Sequence, residues 1–228
     1  MDQPDLFEEP KSAPQGFFDT PPQLARLFEL SVNAFYAAVH ARMSGLPIEG
    51  EISRFIEKVG KAGDREAANR IASDRGDPDV LAVQRAAYKV SGEIHRMEGL
   101  LRFSPGPEGV YTARCSPDYF ILPALAGHFT LRFGETPWAI IDEKRGLCLC
   151  RKPGGETRLI PAPSVPAAQT AETQAAPPAS TAEEAGSDSW EELWRLYHRS
   201  INNESRKNPR LQRQFMPERY QKYLTELK

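Results

Sequence analysis

The sequence predicts an α+β fold: helices packed on a small antiparallel sheet, with a C-terminal helical segment docking back after a disordered linker. Three observations carry this. Apolar residues recur at helical spacing up to Leu101. Beyond Pro105 and Gly106 the pattern shortens, and WAIID and GLCLC flank the tetrapeptide DEKR as the arms of a hairpin would. From residue 188 onward helical spacing returns, after a long Pro/Ala-rich stretch with no means of building a core. Helices followed by a small sheet form the layer pattern of an α+β domain.

Residues 1–18 are acidic and Pro-rich, a composition expected to stay disordered. The core domain is expected over 19–152. Thr20-Pro21 reads as an N-cap with proline just inside the helix. Leu24, Leu27, Phe28, Ser31, Phe35 and Val39 continue that one helix towards Ser44-Gly45. A second helical stretch over 50–73 turns Ile52, Phe55, Ile56 and Val59 inward, with a break near Gly60 to Gly63. Asp77-Pro78 opens the clearest helix. Its residues Val80, Val83, Ala87, Val90, Ile94, Met97 and Leu101 alternate spacings of three and four, which makes one apolar stripe. Val110 to Ala113 suggest a strand, and LPALAGHF a short helix before the hairpin.

The linker is assigned to 153–187 and the C-terminal helical segment to 188–228. Ser189 and Glu192 of SWEE form a capping box. Trp190, Leu193, Trp194, Tyr197 and Ile201 then share an apolar face. Asn208-Pro209 starts a short helix carrying Leu211 and Phe215. Met216-Pro217 ends it and starts another, with Tyr220, Tyr223, Leu224 and Leu227 on one face. Apolar burial contributes about 25 cal/mol per Å², so this face is expected to dock on the core domain. The segment's other side is basic, with seven Lys and Arg against two Glu from Arg199 to Lys222.

A net charge of −2 excludes a polycation that coats nucleic acid, so any basic surface is local. The N-terminus MDQPDLFEEPK lacks the layout of a signal peptide, and the apolar runs fall short of a membrane span. These features predict a soluble, cytoplasmic protein with no membrane partner. Cys115, Cys148 and Cys150 do not form a disulfide framework. Cys148 and Cys150, two apart on a strand, fall on one face. No second ligand pair accompanies them, so neither a metal nor another cofactor is expected.

A polar line runs beside the apolar stripe: Gln84, Tyr88, Ser91, His95, Glu98 and Arg102. Neighbours three or four apart on a helix touch, so His95 and Glu98 are candidates for an acid/base pair and Arg102 for a phosphate contact. The structural alternative is a polar helix edge. His128, with Arg132 four residues on, is either a ligand contact or a helix-end histidine. Arg210 and Arg213 share a face beside Gln212 and Gln214; Arg suits bidentate phosphate contact and Gln suits base edges. Phosphate could also sit at the helix starts after Asn208 or Met216. The alternative is a cap whose arginines pair with acidic groups of the domain. A docked tail would set Arg210, Arg213 and Arg219 near His95 and Arg102 as one basic cleft. There is no Gly-rich phosphate loop, no G-x-S-x-G and no H-E-x-x-H.

HRMEGLLRF, PDYFILPALAGHFTLRF, WAIIDEKRGLCL and above all NPRLQRQFMPERYQKYLTE resemble an uncharacterised bacterial family linked to DNA metabolism. Its members are encoded beside a radical S-adenosylmethionine protein similar to spore photoproduct lyase, or are fused to a uracil-DNA glycosylase-like domain. The resemblance covers about 17–152 and 188–228. A helical stretch that the family usually carries before EISRFIEKVG is nearly absent, and the linker is longer than typical. The matching positions are His95, Arg96, Gly99, Arg102, Phe103, His128, Phe129, Asn208, Pro209, Arg210, Gln212, Arg213, Gln214, Pro217, Arg219 and Tyr220. The resemblance brings no catalytic roles with it. It implies a DNA repair or modification accessory that binds DNA or a damaged nucleotide beside a radical S-adenosylmethionine or uracil-DNA glycosylase-like partner. Arg96, Arg102, His128, Arg132, Arg210, Gln212, Arg213, Arg219 and Tyr220 are then the candidate nucleic-acid or phosphate contacts. Two alternatives stand beside it: a DNA-processing hydrolase using His95 and Glu98, and a protein–protein adaptor that does not touch nucleic acid.

Overall fold

Short polar side chains that satisfy the first N–H groups of a helix set the boundaries of the helical part. The structure, a computed structural model, describes residues 22–106, 109–162, 192, 195–197, 199–200 and 208–224. It is α+β and divides into two units, Met1–His95 with Asp118–Ile121, and Arg96–Pro117 with Leu122–Lys228. The expectations for residues 1–18 and 163–187, and for the capping box at Ser189, lie outside the described residues.

The first unit holds α1 (Pro22–Leu30), α2 (Val32–Met43), α3 (Glu49–Gly60), α4 (Arg65–Ser73) and the larger part of α5 (Pro78–Leu100). The single helix expected from Thr20 to Ser44 is two helices. Ser31 leaves the helical region (φ −158°, ψ 105°), accepts from the Ala34 N–H at 3.1 Å and donates to Asn69 Oδ1 at 2.6 Å. A serine that caps does not also continue the helix before it. The expected break near Gly60 to Gly63 is present, and Asp64 caps α4 by accepting from the Ala67 N–H. Asp77 caps α5 in the same way, accepting from Asp79 and Val80 N–H groups. All seven stripe residues from Val80 to Leu101 are buried.

At the start of α5, Asp79 is nearly buried and gathers two cations from α3. Arg54 Nη2 lies 2.9 Å from Asp79 Oδ1, and Lys58 Nζ lies 2.8 Å from Oδ2. Lys58 also meets Asp77 at 2.5 Å. Hydrogen bonds from Arg54 first and Lys58 second hold the Asp79 carboxyl down at about 2 against an ordinary 3.8. Further along α5, the fully buried Glu93 accepts the backbone N–H groups of Asp118 and Tyr119, each at 2.8 Å. That clamp, with Phe120 N–H on Met43 O, ties Asp118–Ile121 to the first unit.

The second unit is built on a five-stranded sheet among the described residues, in the order β1 (Ser104–Pro105), β2 (Tyr111–Cys115), β3 (Trp138–Asp142), β4 (Leu147–Arg151), β5 (Thr157–Pro161). The expected antiparallel sheet is instead mixed, because β2 and β3 pair in parallel. Parallel neighbours need a crossover of a dozen residues or more, and α6 (Leu122–Phe133) supplies it. The β3–β4 hairpin is as expected, pairing Trp138 with Arg151 through Asp142 with Leu147. The buried Asp142 closes its turn, accepting from Lys144 and Arg145 N–H groups and pairing with the Arg145 guanidinium at 2.8 Å. The domain boundary expected at 152 is too early. β5 pairs with β4 from Arg151–Thr157 to Leu147–Pro161, a partly exposed edge strand ending in proline. Phe103, Phe129, Phe133 and Trp138 pack ring to ring, with centroids 4.7 to 6.5 Å apart, and form the aromatic heart of this unit. No helix among the described residues is long and apolar enough to cross a membrane.

Candidate nucleic-acid interface

Two short helices close the described chain, both within the second unit: α7 (Pro209–Phe215) and α8 (Glu218–Gln221). Pro209 stands at the first helical position, where its missing N–H costs nothing. Asn208 Oδ1 accepts from the Leu211 N–H at 3.1 Å, so part of the helix start read as a phosphate site is already satisfied internally. Met216 leaves helical geometry before Pro217, and α8 begins.

Anchoring comes from the residues after Pro217. Tyr220 is 1% exposed and Leu224 fully buried. Tyr220 and Tyr223 line a recess with Met97, Leu100, Leu101, Arg114 and Cys115. The space left between them is about 10 Å³, room for no more than a single water. The Tyr223 hydroxyl donates to Glu143 Oε2 at 2.6 Å, and Lys222 and Arg114 reach the same carboxylate at 3.6 and 3.5 Å. Burial first, then the Glu143 carboxylate, pushes the Tyr223 phenol well above its ordinary value. Burial would also raise Glu143, but the Tyr223 hydroxyl, Lys222 and Arg114 together pull it below its ordinary value.

Tyr220, expected to touch nucleic acid, is thereby corrected to an anchor. Its ring is inside, and its hydroxyl accepts from Arg219 Nη2 at 3.1 Å. Arg219 also lies over that ring, 4.6 Å from the centroid. α7 behaves in the opposite way. Every residue from Asn208 to Phe215 is exposed, including Arg210, Gln212, Arg213 and Gln214. Arg213 Nε donates to Pro209 O, and neither Arg210 nor Arg213 has a carboxylate partner among the described residues. Among the described residues the apolar face expected to dock does so only in part, since Tyr197 is 52%, Leu211 49% and Phe215 62% exposed; Trp190, Leu193, Trp194, Ile201 and Leu227 lie outside the described residues.

Several residues of the polar line on α5 have partners outside that line. Gln84 donates to Ala72 O, and Ser91 meets His40 Nδ1 at 2.8 Å. Tyr88 is 82% exposed. Burial lowers the affinity of His40 for a proton. His95 is exposed and belongs to the first unit, whereas Glu98, Arg102 and the terminal arginines belong to the second. The single basic cleft expected from sequence is therefore not a feature of either unit. Glu98 comes within 3.9 Å of His128 Nδ1, a pair that is ionic only when the imidazole is protonated. His128 Nε2 and Arg96 Nε are buried without a hydrogen-bond partner. Arg102 donates to Gly99 O at 2.8 Å at the end of its helix, and Arg132 is exposed in the last turn of α6, where a cation complements the helix dipole.

Among the described residues no three His, Cys, Asp or Glu side chains are grouped so as to hold a metal ion. Burial first, then Cys150, pushes the Cys148 thiol up to about 11, so it stays protonated and poorly nucleophilic at neutral pH.

A family model described as a domain of unknown function, DUF4130, matches residues 49–226. No curated protein and no solved structure matches the chain.

Proposed function

We propose, for a chain that belongs to the family of the domain of unknown function DUF4130, that it grips DNA or a damaged nucleotide through α7 as an accessory to DNA repair or modification. The observation that carries this is the state of Arg210 and Arg213. Both are exposed on a seven-residue helix, without a neutralising carboxylate among the described residues. Arginines that act as internal ties look different here: Arg54 sits on Asp79 and Arg145 on Asp142. An exposed guanidinium pair presents planar donors suited to phosphate oxygens, and Gln212 and Gln214 between and beside them suit base edges. The resemblance of the same stretch to a DNA-metabolism family supports the reading, and it names the working partner as a radical S-adenosylmethionine or uracil-DNA glycosylase-like protein.

Fluorescence anisotropy at low salt tests it. The full chain should bind labelled DNA, and Arg210→Ala/Arg213→Ala should lose about 100-fold, taking about tenfold for each phosphate contact. Binding unchanged in the double variant, with its circular dichroism intact, would remove α7 from the interface. A second reading, a DNA-processing hydrolase, draws on Glu98 and His128 lying within 3.9 Å of each other. It requires that Glu98→Gln abolish turnover while leaving DNA affinity unchanged.

A further inference from the structure

We infer that Ser91 and His40 form a nucleophile–base dyad that takes the acyl group of an aryl ester. The inference is independent of the DNA reading, and both residues belong to the first unit. Ser91 Oγ lies 2.8 Å from His40 Nδ1, although 51 residues separate them in the chain. A serine inside a helix turns its hydroxyl either to solvent or back to the carbonyl one turn earlier. Ser91 instead bonds across to another helix. Among the described residues the two side chains have each other as their one hydrogen-bond partner. The placement follows from the helices. On α5, Val90 and Ile94 are buried, and Ser91 is exposed at the edge of their stripe. On α2, His40 stands half-buried in the last turn, between the buried Ala37 and Ala41. The base is sheltered while the nucleophile meets solvent.

A neutral imidazole within hydrogen-bond reach of a hydroxyl is the arrangement that activates a serine. Burial lowers the proton affinity of His40, so its ring is neutral at neutral pH. In the tautomer protonated on Nε2, Nδ1 accepts the Ser91 hydroxyl proton. As it does, Oγ bonds to the ester carbonyl carbon, the bond from that carbon to the aryloxide oxygen breaks, and the aryloxide leaves with the proton from Nδ1. A water then gives a proton to Nδ1 while its oxygen bonds to the acyl carbon. Ser91 Oγ leaves, recovers that proton, and the carboxylic acid departs. The flanks favour an aryl ester. Tyr36 lies one turn before His40, with ring centroids 5.8 Å apart, and Tyr88 lies one turn before Ser91 and is 82% exposed. Each offers a ring against which an aromatic group packs. An aryloxide is also a good leaving group, so attack by the serine is the step that needs assistance, and His40 supplies it.

The test incubates the full chain with p-nitrophenyl acetate and follows both p-nitrophenolate release and, by mass spectrometry of the digested protein, the position of the acetyl group. Wild type should release about one p-nitrophenolate per chain in a fast phase and carry the acetyl group on Ser91. Ser91→Ala, a change on an exposed helix face, should lose the fast phase and the adduct with its circular dichroism intact. His40→Gln keeps a hydrogen-bonding side chain but no base, and should slow acylation by about 100-fold or more. Acetyl groups on lysines alone, or a fast phase that persists in Ser91→Ala, would overturn the dyad whatever the fate of His40→Gln. Equal rates in wild type and a folded His40→Gln would also overturn it, because the contact would then be only a tie between α2 and α5.

Discussion

Helices α7 and α8 are separated by two residues and share one motif, yet they differ in every physical respect. In α8 and the turn after it, Tyr220 and Leu224 are buried, Arg219 lies over the Tyr220 ring and Lys222 reaches Glu143. In α7, Leu211 and Phe215 remain in water and Arg210 and Arg213 have no described carboxylate. The same residue types thus carry two roles. Aromatic and basic side chains in α8 complete their interactions inside the protein, whereas those in α7 leave theirs open. An unfinished set of interactions held on a firmly seated base is what a binding element requires.

The comparison breaks most visibly in stability. Tyr220→Ala should cost about 3–5 kcal/mol in urea unfolding, as expected for removing a fully buried ring, whereas Phe215→Ala should stay within about 0.5 kcal/mol. Equal costs would mean that α7 is as structural as α8. Next comes affinity. Arg210→Ala/Arg213→Ala should weaken DNA binding by about 100-fold with an unchanged unfolding midpoint, measured by anisotropy and thermal melting side by side. Loss of stability in that variant would reclassify the arginines as ties.

Tyr223→Phe sharpens the anchor side. It removes one hydrogen bond to a partly exposed carboxylate, and should cost about 1 kcal/mol at pH 7. Glu143 has a folded pKa below its ordinary value, so its contribution is present above the unfolded pKa and is lost as pH falls through the lowered folded value. The difference between wild type and Tyr223→Phe in unfolding free energy should therefore shrink as pH is taken below about 4. A difference that grows on acidification contradicts the assigned pairing. The smallest effect belongs to Glu98→Gln. A 3.9 Å contact between two partly exposed groups should shift stability by no more than about 1 kcal/mol.

How much of this was readable in the chain itself depends on distance along it. The α5 stripe and its start at Asp77, the break near Gly60 to Gly63, the β3–β4 hairpin and the start of α7 at Asn208 all depend on residues within one or two turns of each other, and all are present. Ser31, at helical spacing, reads as part of a face, and nothing near it in the chain shows its bond to Asn69, 38 residues away. The parallel pairing of β2 with β3 is not legible in sequence although each of its three parts is, since pairing depends on the crossover rather than on any local run. The edge strand Thr157–Pro161 looked like the start of the linker because its alternation is brief and ends in proline. At the candidate interface, the basic character of α7 was legible, but the division of labour was not. Tyr220 and Phe215 look alike in sequence, and only packing against Met97, Leu101 and Cys115 separates an anchor from an open ring. Glu93 gave no signal at all, because the groups it binds are backbone N–H groups 25 and 26 residues away.

The most direct test of the central claim is the salt dependence of DNA binding by the full chain and by Arg210→Ala/Arg213→Ala. Each phosphate contact on a single strand contributes about −0.7 to the slope of log K against log salt concentration. Two arginines on phosphates predict a wild-type slope steeper than that of the double variant by about 1.4. Identical slopes would contradict the account, because they would show that α7, however exposed and basic, does not touch the phosphate backbone.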